Sequence, residues 1–458
     1  MGRLFGTDGA RGVANTELSC ELAMQIGRAA AMVLTEHSSS KRPKVLIGMD
    51  TRASSQMLES AIAAGLCSVG ADVMLLGEIP TPAVAYLVRK YQYDAAVMIS
   101  ASHNPCEYNG IKIFQGTGYK LPDALEEEIE SIILDNTKLP PVKIGGEVGR
   151  ITRSTTAVAD YVNYLLGIAQ DDLEEFGLSD FNGIRIAIDC ANGASSVTAP
   201  SLFMNLCDDC FFMASHPNGT NINEKCGSTH LEILQDFVVR NKCDAGLAFD
   251  GDADRFLAVD ENGNVVDGDK LIAIFSKYMK EKGKLKNDTA VVTVMSNMGF
   301  FKFCEENGIN CEKTKVGDRY VLENMLKNDY IIGGEQSGHI IFHEYATTGD
   351  GELSALKLLC VMKETGKSLS ELASCMEVFP QTLVNVRVSE FGKARFPQDK
   401  EIKNAIKAAE KELGEDGRVL VRVSGTEPLV RVMLEGKCQE KIDVLANEIA
   451  QVVKERLI

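Results

Sequence analysis

Short apolar runs alternate with helix-patterned segments through most of this chain, and that alternation constrains its fold more than any other feature. In the first third, residues 44–48, 72–76 and 95–100 have the length and composition of short buried strands. Between them, apolar residues recur at helical spacing, as over 54–69. Strands separated by helices of this length form parallel βαβ units with right-handed crossovers. The sequence therefore predicts an α/β fold.

The same alternation begins again after a polar, proline-bearing stretch near 140–146. It predicts strands at 184–189 and 245–249, and later at 290–294 and 330–333. The three blocks are therefore candidates for diverged copies of one βα fold, with mixed but mostly parallel sheets.

The last part of the chain has a different pattern. Two alternating strands, 418–423 and 429–434, are joined by a Ser-Gly-Thr-Glu-Pro turn, and a helix is predicted over 440–456. This order is typical of a smaller α+β domain.

Composition excludes several classes of protein. The 45% hydrophobic and 25% charged shares are those of a globular chain, and the length of 458 residues fits three or four domains. A formal charge of −17 repels a phosphate backbone, so nucleic acid is not an expected partner. Neither a bilayer-spanning stretch nor a signal-peptide pattern is present, so we expect no membrane partner and a cytoplasmic protein. Thirteen cysteines without a compact framework are expected to be free thiols in a reducing compartment.

A polar loop at 100–105 carries the first candidate catalytic residue, Ser102. Open parallel sheets bind ligands beyond the carboxyl ends of their strands, which is where this serine lies. Its hydroxyl can serve as a nucleophile, with Lys112 close by in sequence. Taken alone, these residues have a simpler interpretation as a turn that closes the strand.

Three aspartates at alternate positions follow the strand predicted at 245–249. Asp250, Asp252 and Asp254 can surround one hard cation, and oxygen ligands alone favour Mg²⁺ over zinc. An EF-hand is a poor alternative because its twelfth position falls on Glu261 within a turn, and no suitable helix precedes the loop. A solvated acidic turn is the other alternative, although the apolar strand before it favours burial.

A third polar loop, Gly-Gly-Glu-Gln-Ser-Gly-His at 333–339, also follows a predicted strand. Glu335 and Ser337 offer an acceptor and a donor suited to sugar hydroxyls, and His339 can transfer a proton near neutral pH. A plain glycine loop is the simpler interpretation of this stretch alone.

The turn between the last two predicted strands carries candidate phosphate ligands. The backbone N–H groups of Ser424, Gly425 and Thr426 can form an anion-binding nest. Arg422 and Arg431 can add charge-assisted hydrogen bonds to phosphate. An ordinary hairpin turn is the alternative.

Together the four loops supply a nucleophile, a cation site, groups that recognise hydroxyls and a phosphate clamp. That combination suits phosphoryl transfer, in which positioning and charge neutralisation supply most of the catalysis. The glycine-rich loop at 6–12 does not fit a nicotinamide dehydrogenase, because no G-x-G-x-x-G opens a helix there.

The ordered set of motifs resembles the α-D-phosphohexomutase superfamily over nearly the whole chain. The motifs are FGTDGARG, DTR, ISASHNP, NGIK, CGSTH, DGDADR, GDR (317–319), GEQSGH and RVSGTEP. The resemblance implies four domains around a central active-site cleft: three similar βα domains and a C-terminal α+β domain. The bounds that we predict for them are 1–150, 151–255, 256–369 and 370–458.

The resemblance also implies a role for each matching residue. Ser102 would be an active-site phosphoserine that holds Mg²⁺ together with Asp250, Asp252 and Asp254. Proton transfer or charge stabilisation would be the task of Arg11, Lys112, Arg255 and His339. Substrate contacts would come from His103, Arg319, Glu335, Ser337, Arg422, Ser424, Gly425, Thr426 and Arg431.

The implied activity interconverts glucosamine 6-phosphate and glucosamine 1-phosphate through the phosphoserine and a bisphosphate, toward UDP-N-acetylglucosamine and cell-wall precursors. Gln336 favours the amino sugar, because members that act on glucose or mannose phosphates usually carry Met there. Two alternatives stay open: a phosphoglucomutase or phosphomannomutase, and a non-catalytic sugar-phosphate-binding protein, in which Ser102 or the aspartates should be damaged. The expected partner is a phosphosugar, and a homodimer is the candidate assembly, although the sequence itself does not give the oligomeric state.

Overall fold

Three mixed sheets and their helices form the first of two units into which the chain divides. This unit comprises residues 1–295 and 309–375, and the second comprises 296–308 and 376–458. The computed structural model describes residues 3–6, 8–37, 42–138, 140–424 and 428–458.

The first sheet has seven strands in the order β1-β2-β6-β5-β3-β4-β7. They are β1 (Phe5–Gly6), β2 (Gly9–Val13), β3 (Lys44–Met49), β4 (Asp72–Glu78), β5 (Ala95–Ile99), β6 (Tyr108–Gln115) and β7 (Ile151–Arg153). Its helices are α1 (Cys20–His37), α2 (Ala53–Ser68), α3 (Thr81–Lys90) and α4 (Asp123–Leu134). Strands β5, β3, β4 and β7 are parallel, whereas β6, β2 and β1 join by antiparallel pairing.

The second sheet has five strands in the order β12-β11-β10-β8-β9. These are β8 (Ile186–Asp189), β9 (Cys210–Met213), β10 (Ala245–Phe249), β11 (Phe256–Asp260) and β12 (Val265–Val266). Helices α5 (Ala157–Glu175), α6 (Ala199–Met204) and α7 (Glu232–Asn241) belong to this part of the unit. Strands β8, β9 and β10 are parallel, and β11 pairs antiparallel with β10.

The third sheet has four strands in the order β14-β13-β15-β16. Along the chain, its part of the sequence contains α8 (Gly268–Glu281), β13 (Thr289–Thr293), α9 (Met298–Glu306), β14 (Asn310–Thr314), α10 (Asp318–Asn328), β15 (Ile332–Gly334), β16 (Ile340–Phe342), α11 (Gly351–Thr365) and α12 (Leu369–Ala373). Of these elements α9 belongs to the second unit. Strand β16 pairs antiparallel with β15, whereas β13, β14 and β15 are parallel.

One arrangement recurs in all three sheets and positions the candidate site. In each, a buried strand of the parallel part continues through a polar loop into an antiparallel neighbour: β5 to β6, β10 to β11 and β15 to β16. Each pair closes next to its loop, with Ile99 opposite Ile111, Phe249 opposite Phe256 and Gly334 opposite Ile340. The loops are those that carry Ser102, the three aspartates and Glu335.

The second unit is a three-stranded antiparallel sheet covered by helices. Its strands are β17 (Gln381–Arg387), β18 (Gly417–Val423) and β19 (Leu429–Gly436), in the order β17-β19-β18. The helices that follow α9 are α13 (Glu390–Arg395), α14 (Lys400–Leu413) and α15 (Gln439–Leu457). A core that includes Ile402, Val432, Ile442 and Ile449 lies between this sheet and the helices.

The α/β class and the C-terminal α+β domain predicted from the sequence are confirmed. Strand 245–249 matches β10, and the last two predicted strands match β18 and β19 to within two residues at their ends. The antiparallel partners β6, β11 and β16 were not predicted individually, because a short apolar run has the same local pattern in either direction. In the described part of the chain, no helix is both long and apolar enough to cross a membrane.

Candidate active site

Ser102 and the aspartate loop meet although 148 positions separate them in sequence. Ser102 is buried, and its Oγ donates a hydrogen bond of 2.6 Å to Asp250 Oδ2. Its backbone has φ of +53°, a left-handed conformation that few residues other than glycine adopt without strain. The strained turn fixes the hydroxyl in a position beside the carboxylate, where a phosphoryl group on Oγ would lie next to any bound cation.

Arg52 holds the serine loop in this conformation, and sequence analysis gave this residue no role. Its guanidinium donates to four backbone carbonyls around the turn, those of Ser102 (2.9 Å), Asn104 (2.8 Å), Pro105 (2.5 Å) and Tyr108 (3.1 Å). Its Nε also pairs with Asp50 Oδ2 at 2.8 Å, and both side chains are fully buried. The DTR motif was the available signal, but the carbonyls that Arg52 binds are visible only in three dimensions.

Asp250, Asp252 and Asp254 form a group whose candidate ligand oxygens all lie within 4.8 Å of one another. All three side chains are buried, and burial together with the charges of Asp252 and Asp254 raises the pKa of Asp250 well above its ordinary value. Oδ1 of Asp252 and Oδ1 of Asp254 are buried and have no hydrogen-bond partner among the described residues. Orphaned carboxylate oxygens cost free energy unless a cation coordinates them, so the three residues fit a metal site.

Lys112 lies against the aspartate loop. Its Nζ donates to Asp252 at 2.8 Å and Asp254 at 3.4 Å, and it is 3.2 Å from Asp8. Burial disfavours the ammonium, but the three carboxylates outweigh it and raise the pKa of Lys112 above its ordinary value. The residue is therefore a permanent positive charge at neutral pH, suited to stabilising phosphate rather than to accepting a proton.

A second lysine extends this ion-pair network through Asp8 and Asp318, and these three residues were not predicted. Lys120 Nζ lies 2.6 Å from Asp8 and 2.5 Å from Asp318 Oδ2. Arg11, a predicted site residue, also pairs with Asp8. The residues at positions 8, 120 and 318 share no local spacing; Asp8 and Asp318 lie in the motifs FGTDGARG and GDR, whereas Lys120 lies in none of the motifs.

His339 connects the aspartate loop to Asp318. The Gly349 N–H donates to His339 Nε2 at 3.0 Å, so the ring proton is assigned to Nδ1, which lies 3.6 Å from Asp254. Nε2 is also 3.6 Å from Asp318. Burial opposes a second proton, but Asp254 and Asp318 outweigh it and raise the pKa of His339.

Arg255 and His103 lie beside the nucleophile. Arg255 donates to His103 Nδ1 at 3.1 Å, and the same nitrogen is 3.3 Å from Ser102 Oγ. Burial and the Arg255 cation lower the pKa of His103 to about 4, so the ring is neutral at physiological pH. The structure thus brings Ser102, the three aspartates, Lys112, His103, Arg255 and His339 into one cluster.

The predicted sugar loop adjoins this cluster. Glu335 Oε1 accepts from the Gly317 N–H at 3.1 Å, and burial raises the pKa of Glu335. Ser337 is exposed, whereas Gln336 donates from Nε2 to Asp267 at 3.1 Å. Arg319 pairs with Asp123 and Glu126 of α4.

The predicted phosphate clamp belongs to the second unit. Arg422 and Arg431 are direct neighbours on the antiparallel strands β18 and β19, so their side chains leave the same face of the sheet. Burial and the Arg431 charge lower the pKa of Arg422. A bound anion would relieve this repulsion. Ser424 is buried, and Gly425 and Thr426 lie outside the described residues.

Four family profiles match the chain in order, with short gaps between them. They are the phosphoglucomutase/phosphomannomutase alpha/beta/alpha domain I over residues 2–140, domain II over 159–263, domain III over 267–379 and the C-terminal domain over 383–452.

Relatives agree with the profiles in sequence and in fold. The phosphoglucosamine mutase of Acetivibrio thermocellus is 56% identical over 457 residues, which covers 100% of both chains. A phosphoglucomutase/phosphomannomutase family protein from Burkholderia thailandensis superposes with a TM-score of 0.80 at 22% identity, over 100% of this chain and 99% of that one. The N-acetylphosphoglucosamine mutase of Aspergillus fumigatus, solved with GlcNAc-6P and magnesium, gives 0.71 at 17% identity, over 100% and 96%. At these identities the two structures are evidence for the fold alone.

Proposed function

The chain belongs to the phosphoglucomutase/phosphomannomutase family, and from that premise we propose that it interconverts glucosamine 6-phosphate and glucosamine 1-phosphate. The observation that carries the proposal is the 2.6 Å hydrogen bond from Ser102 Oγ to Asp250, within a buried cluster of three aspartates. The full-length identity to a phosphoglucosamine mutase supports the choice of sugar. The product would supply UDP-N-acetylglucosamine synthesis, in the cytoplasm. All thirteen cysteines are free thiols, which supports a reducing compartment.

In the proposed mechanism Ser102 acts as a phosphoserine. The P–O bond to Ser102 Oγ breaks as a P–O bond forms to the free hydroxyl oxygen of the sugar phosphate; the hydroxyl proton passes to a base, and Oγ takes up a proton as it leaves. The resulting bisphosphate turns around, and its other phosphoryl group returns to Oγ, which loses its proton while the sugar oxygen that releases the phosphoryl group gains one. The serine is phosphorylated again at the end, and the sugar carries one phosphate at its other position.

The residues around Ser102 would neutralise charge during both transfers. Lys112 and Arg255 hold fixed positive charges beside the aspartates, and their position favours the developing charge on a transferring phosphoryl group. We propose that Asp250, Asp252 and Asp254 hold Mg²⁺ together with the Ser102 phosphate. A cation there would neutralise the phosphate and make its phosphorus more electrophilic.

Residues of the sugar loop and the second unit would select and hold the substrate. Glu335 and Ser337 are proposed to bind sugar hydroxyls. The proposed ligands of the phosphate that does not react are Arg422, Ser424, Gly425, Thr426 and Arg431. Gln336 donates to Asp267, a bond that the methionine typical of glucose and mannose enzymes could not make. His103 and Arg319 remain candidate substrate ligands, and a homodimer stays a prediction from the sequence.

The test of the function is a comparison of substrates with purified enzyme. We expect isotope-labelled phosphate to pass from the enzyme to glucosamine 6-phosphate, and kcat/KM to be highest for glucosamine phosphates. Lower activity on glucose phosphates is expected, because one amino group in place of a hydroxyl changes few contacts. A preference for mannose phosphates would overturn the sugar assignment, and absence of labelled transfer to any hexose phosphate would overturn the enzyme.

Metal binding can be measured without turnover. Mg²⁺ at about 100 times its Kd is expected to stabilise the protein by about 2.7 kcal/mol, seen as a rise in Tm. Asp252→Asn should remove most of this rise, because it replaces one of the two buried oxygens that lack a partner. Asp236→Asn, a change at an exposed acid on α7, is the control. An equal Mg²⁺ effect in Asp252→Asn and wild type would contradict the site.

Gly349 allows the aspartate loop and His339 to approach each other. A Cβ at this position would lie 2.7 Å from the Asp254 carbonyl oxygen and 2.7 Å from two carbons of the His339 ring. Gly349→Ala is therefore expected to displace the ring and lower kcat by about 10²-fold, with a smaller change in KM. Gly167→Ala, where an added Cβ meets open space within α5, should leave kcat unchanged. Equal kcat values for the two variants would show that the close approach is dispensable.

A further inference from the structure

Asp318 is an acidic side chain beside the proposed sugar loop to which the mechanism above gives no task. It begins α10, directly after Gly317, whose N–H donates to the Glu335 carboxylate at 3.1 Å. On its other side, Asp318 Oδ2 lies 3.6 Å from His339 Nε2, and His339 in turn faces Asp254. One imidazole ring thus separates Asp318 from Asp254, a proposed metal ligand, and Asp318 is the direct chain neighbour of Gly317, which binds the proposed sugar ligand Glu335.

The two oxygens of the Asp318 carboxylate have different surroundings. Oδ2 is engaged by Lys120 at 2.5 Å. Oδ1 makes no hydrogen bond to any residue that the structure describes. The side chain keeps 16% of its surface exposed, at the wall of a cavity of about 370 Å³ that Lys120, Tyr119, Arg319 and Thr348 also line. Lys120 therefore holds one oxygen in place, and the other keeps its capacity to accept a hydrogen bond.

The neighbouring Lys120 favours the ionised form of the Asp318 carboxylate. Burial alone would raise the pKa of Asp318, but the Lys120 ammonium outweighs burial and keeps that pKa below its ordinary value. Lys120 is shared between Asp318 and Asp8, so one cation serves two carboxylates at this point. Glu335 resembles Asp318 in having one engaged oxygen, since Oε1 accepts from Gly317, but burial raises the pKa of Glu335. Of the two acids beside the sugar loop, Asp318 is thus the one poised to accept a second cation.

We propose that Asp318 Oδ1 pairs with the 2-ammonium group of the amino sugar and so determines the preference for glucosamine over glucose phosphates. The inference rests on the proposed function, since it names the residue that recognises the amino group of the sugar. The ammonium is the single feature by which the two substrates differ, and an ionised carboxylate is its complement. With glucose phosphates a neutral hydroxyl would meet the same oxygen and gain less, which is how one charged contact produces discrimination.

The test is the ratio of kcat/KM for glucosamine 6-phosphate to kcat/KM for glucose 6-phosphate. Asp318→Asn keeps the size of the side chain and removes its charge, so we expect this ratio to fall about 10- to 100-fold. Asp318→Glu keeps the charge and should retain a higher ratio than Asp318→Asn. Glu323→Gln removes a charge from the same helix and the same cavity wall, and should leave the ratio at its wild-type value.

The outcomes separate this inference from the function on which it rests. A purely structural role for Asp318 would lower both kcat/KM values by the same factor, and an unchanged ratio in Asp318→Asn overturns the inference while the function stands. Wild-type enzyme that turns over neither glucosamine phosphate overturns the function itself. If Asp318→Asn does not fold, as judged from its Tm, Asp318→Ser is measured in its place against the same ratio.

Discussion

Ser102→Ala is expected to lower kcat by about 10⁵- to 10⁶-fold, the scale on which removal of a covalent nucleophile acts in other enzymes. Without Oγ there is no atom to carry the phosphoryl group, and the remaining cluster can only bind substrate. The same variant should lose the mass of one phosphoryl group that the wild-type protein carries when purified. The Ser102→Ala protein should still bind sugar phosphate, because the proposed sugar and phosphate ligands are unchanged.

Ser100→Ala is the matched control for this prediction. Ser100 lies in the same loop, where its Oγ donates to Asp50 at 2.6 Å and accepts from the Ser102 N–H at 2.9 Å, so the variant loses two buried hydrogen bonds but keeps the nucleophile. It should fold less stably and still take up phosphate. Full mutase activity of Ser102→Ala, after any bisphosphate activator has been removed, would refute the phosphoserine mechanism.

Arg52→Met is expected to destabilise the protein by about 3–5 kcal/mol, because it leaves the buried Asp50 carboxylate without its cationic partner. The four carbonyls that Arg52 binds would lose their donors at the same time. Denaturant unfolding of the first unit would measure the loss. Arg42→Met is the control: Arg42 pairs with Asp72 at the surface, and breaking such a pair costs about 1 kcal/mol or less.

A double substitution distinguishes charge from packing in this prediction. Asp50→Asn combined with Arg52→Met removes the unpaired buried charge, so it should recover part of the stability that Arg52→Met loses. Similar losses in Arg52→Met and Arg42→Met would show that the buried pair adds little. A double variant no more stable than Arg52→Met alone would assign the effect to the carbonyl contacts.

The sequence predicted those strands and loops that are determined by residues close together in the chain. The apolar runs at 95–100 and 245–249 became buried strands, and the polar residues after them became the loops that meet at Ser102 and Asp250. The fold class followed from the alternation of strands and helices. In the third loop Ser337 is exposed and Glu335 is half-buried.

The rest depends on contacts between distant positions. In the sequence, Arg52 only follows the strand predicted at 44–48. The folded chain shows that backbone carbonyls between positions 102 and 108 surround its guanidinium. The network of Asp8, Lys120 and Asp318 joins three regions that have no common period. Arg319 was predicted as a substrate ligand, but the sequence did not reveal that α4 supplies two acids to pair with it. Charge pairing at long range is fixed by topology, which a local pattern does not record.

The arrangement of strand, polar loop and antiparallel strand that recurs in the three sheets has a consequence for how the active site evolved. If the sheets descend from one ancestral gene segment, the nucleophile and its metal ligands were inherited on separate duplicates, since Ser102 follows β5 and Asp250 follows β10. A solitary ancestor could then have contributed only one of these loops to any single pocket. The present chemistry would have arisen after fusion, or earlier between ancestors that assembled as separate chains, with each duplicate later free to specialise its own loop.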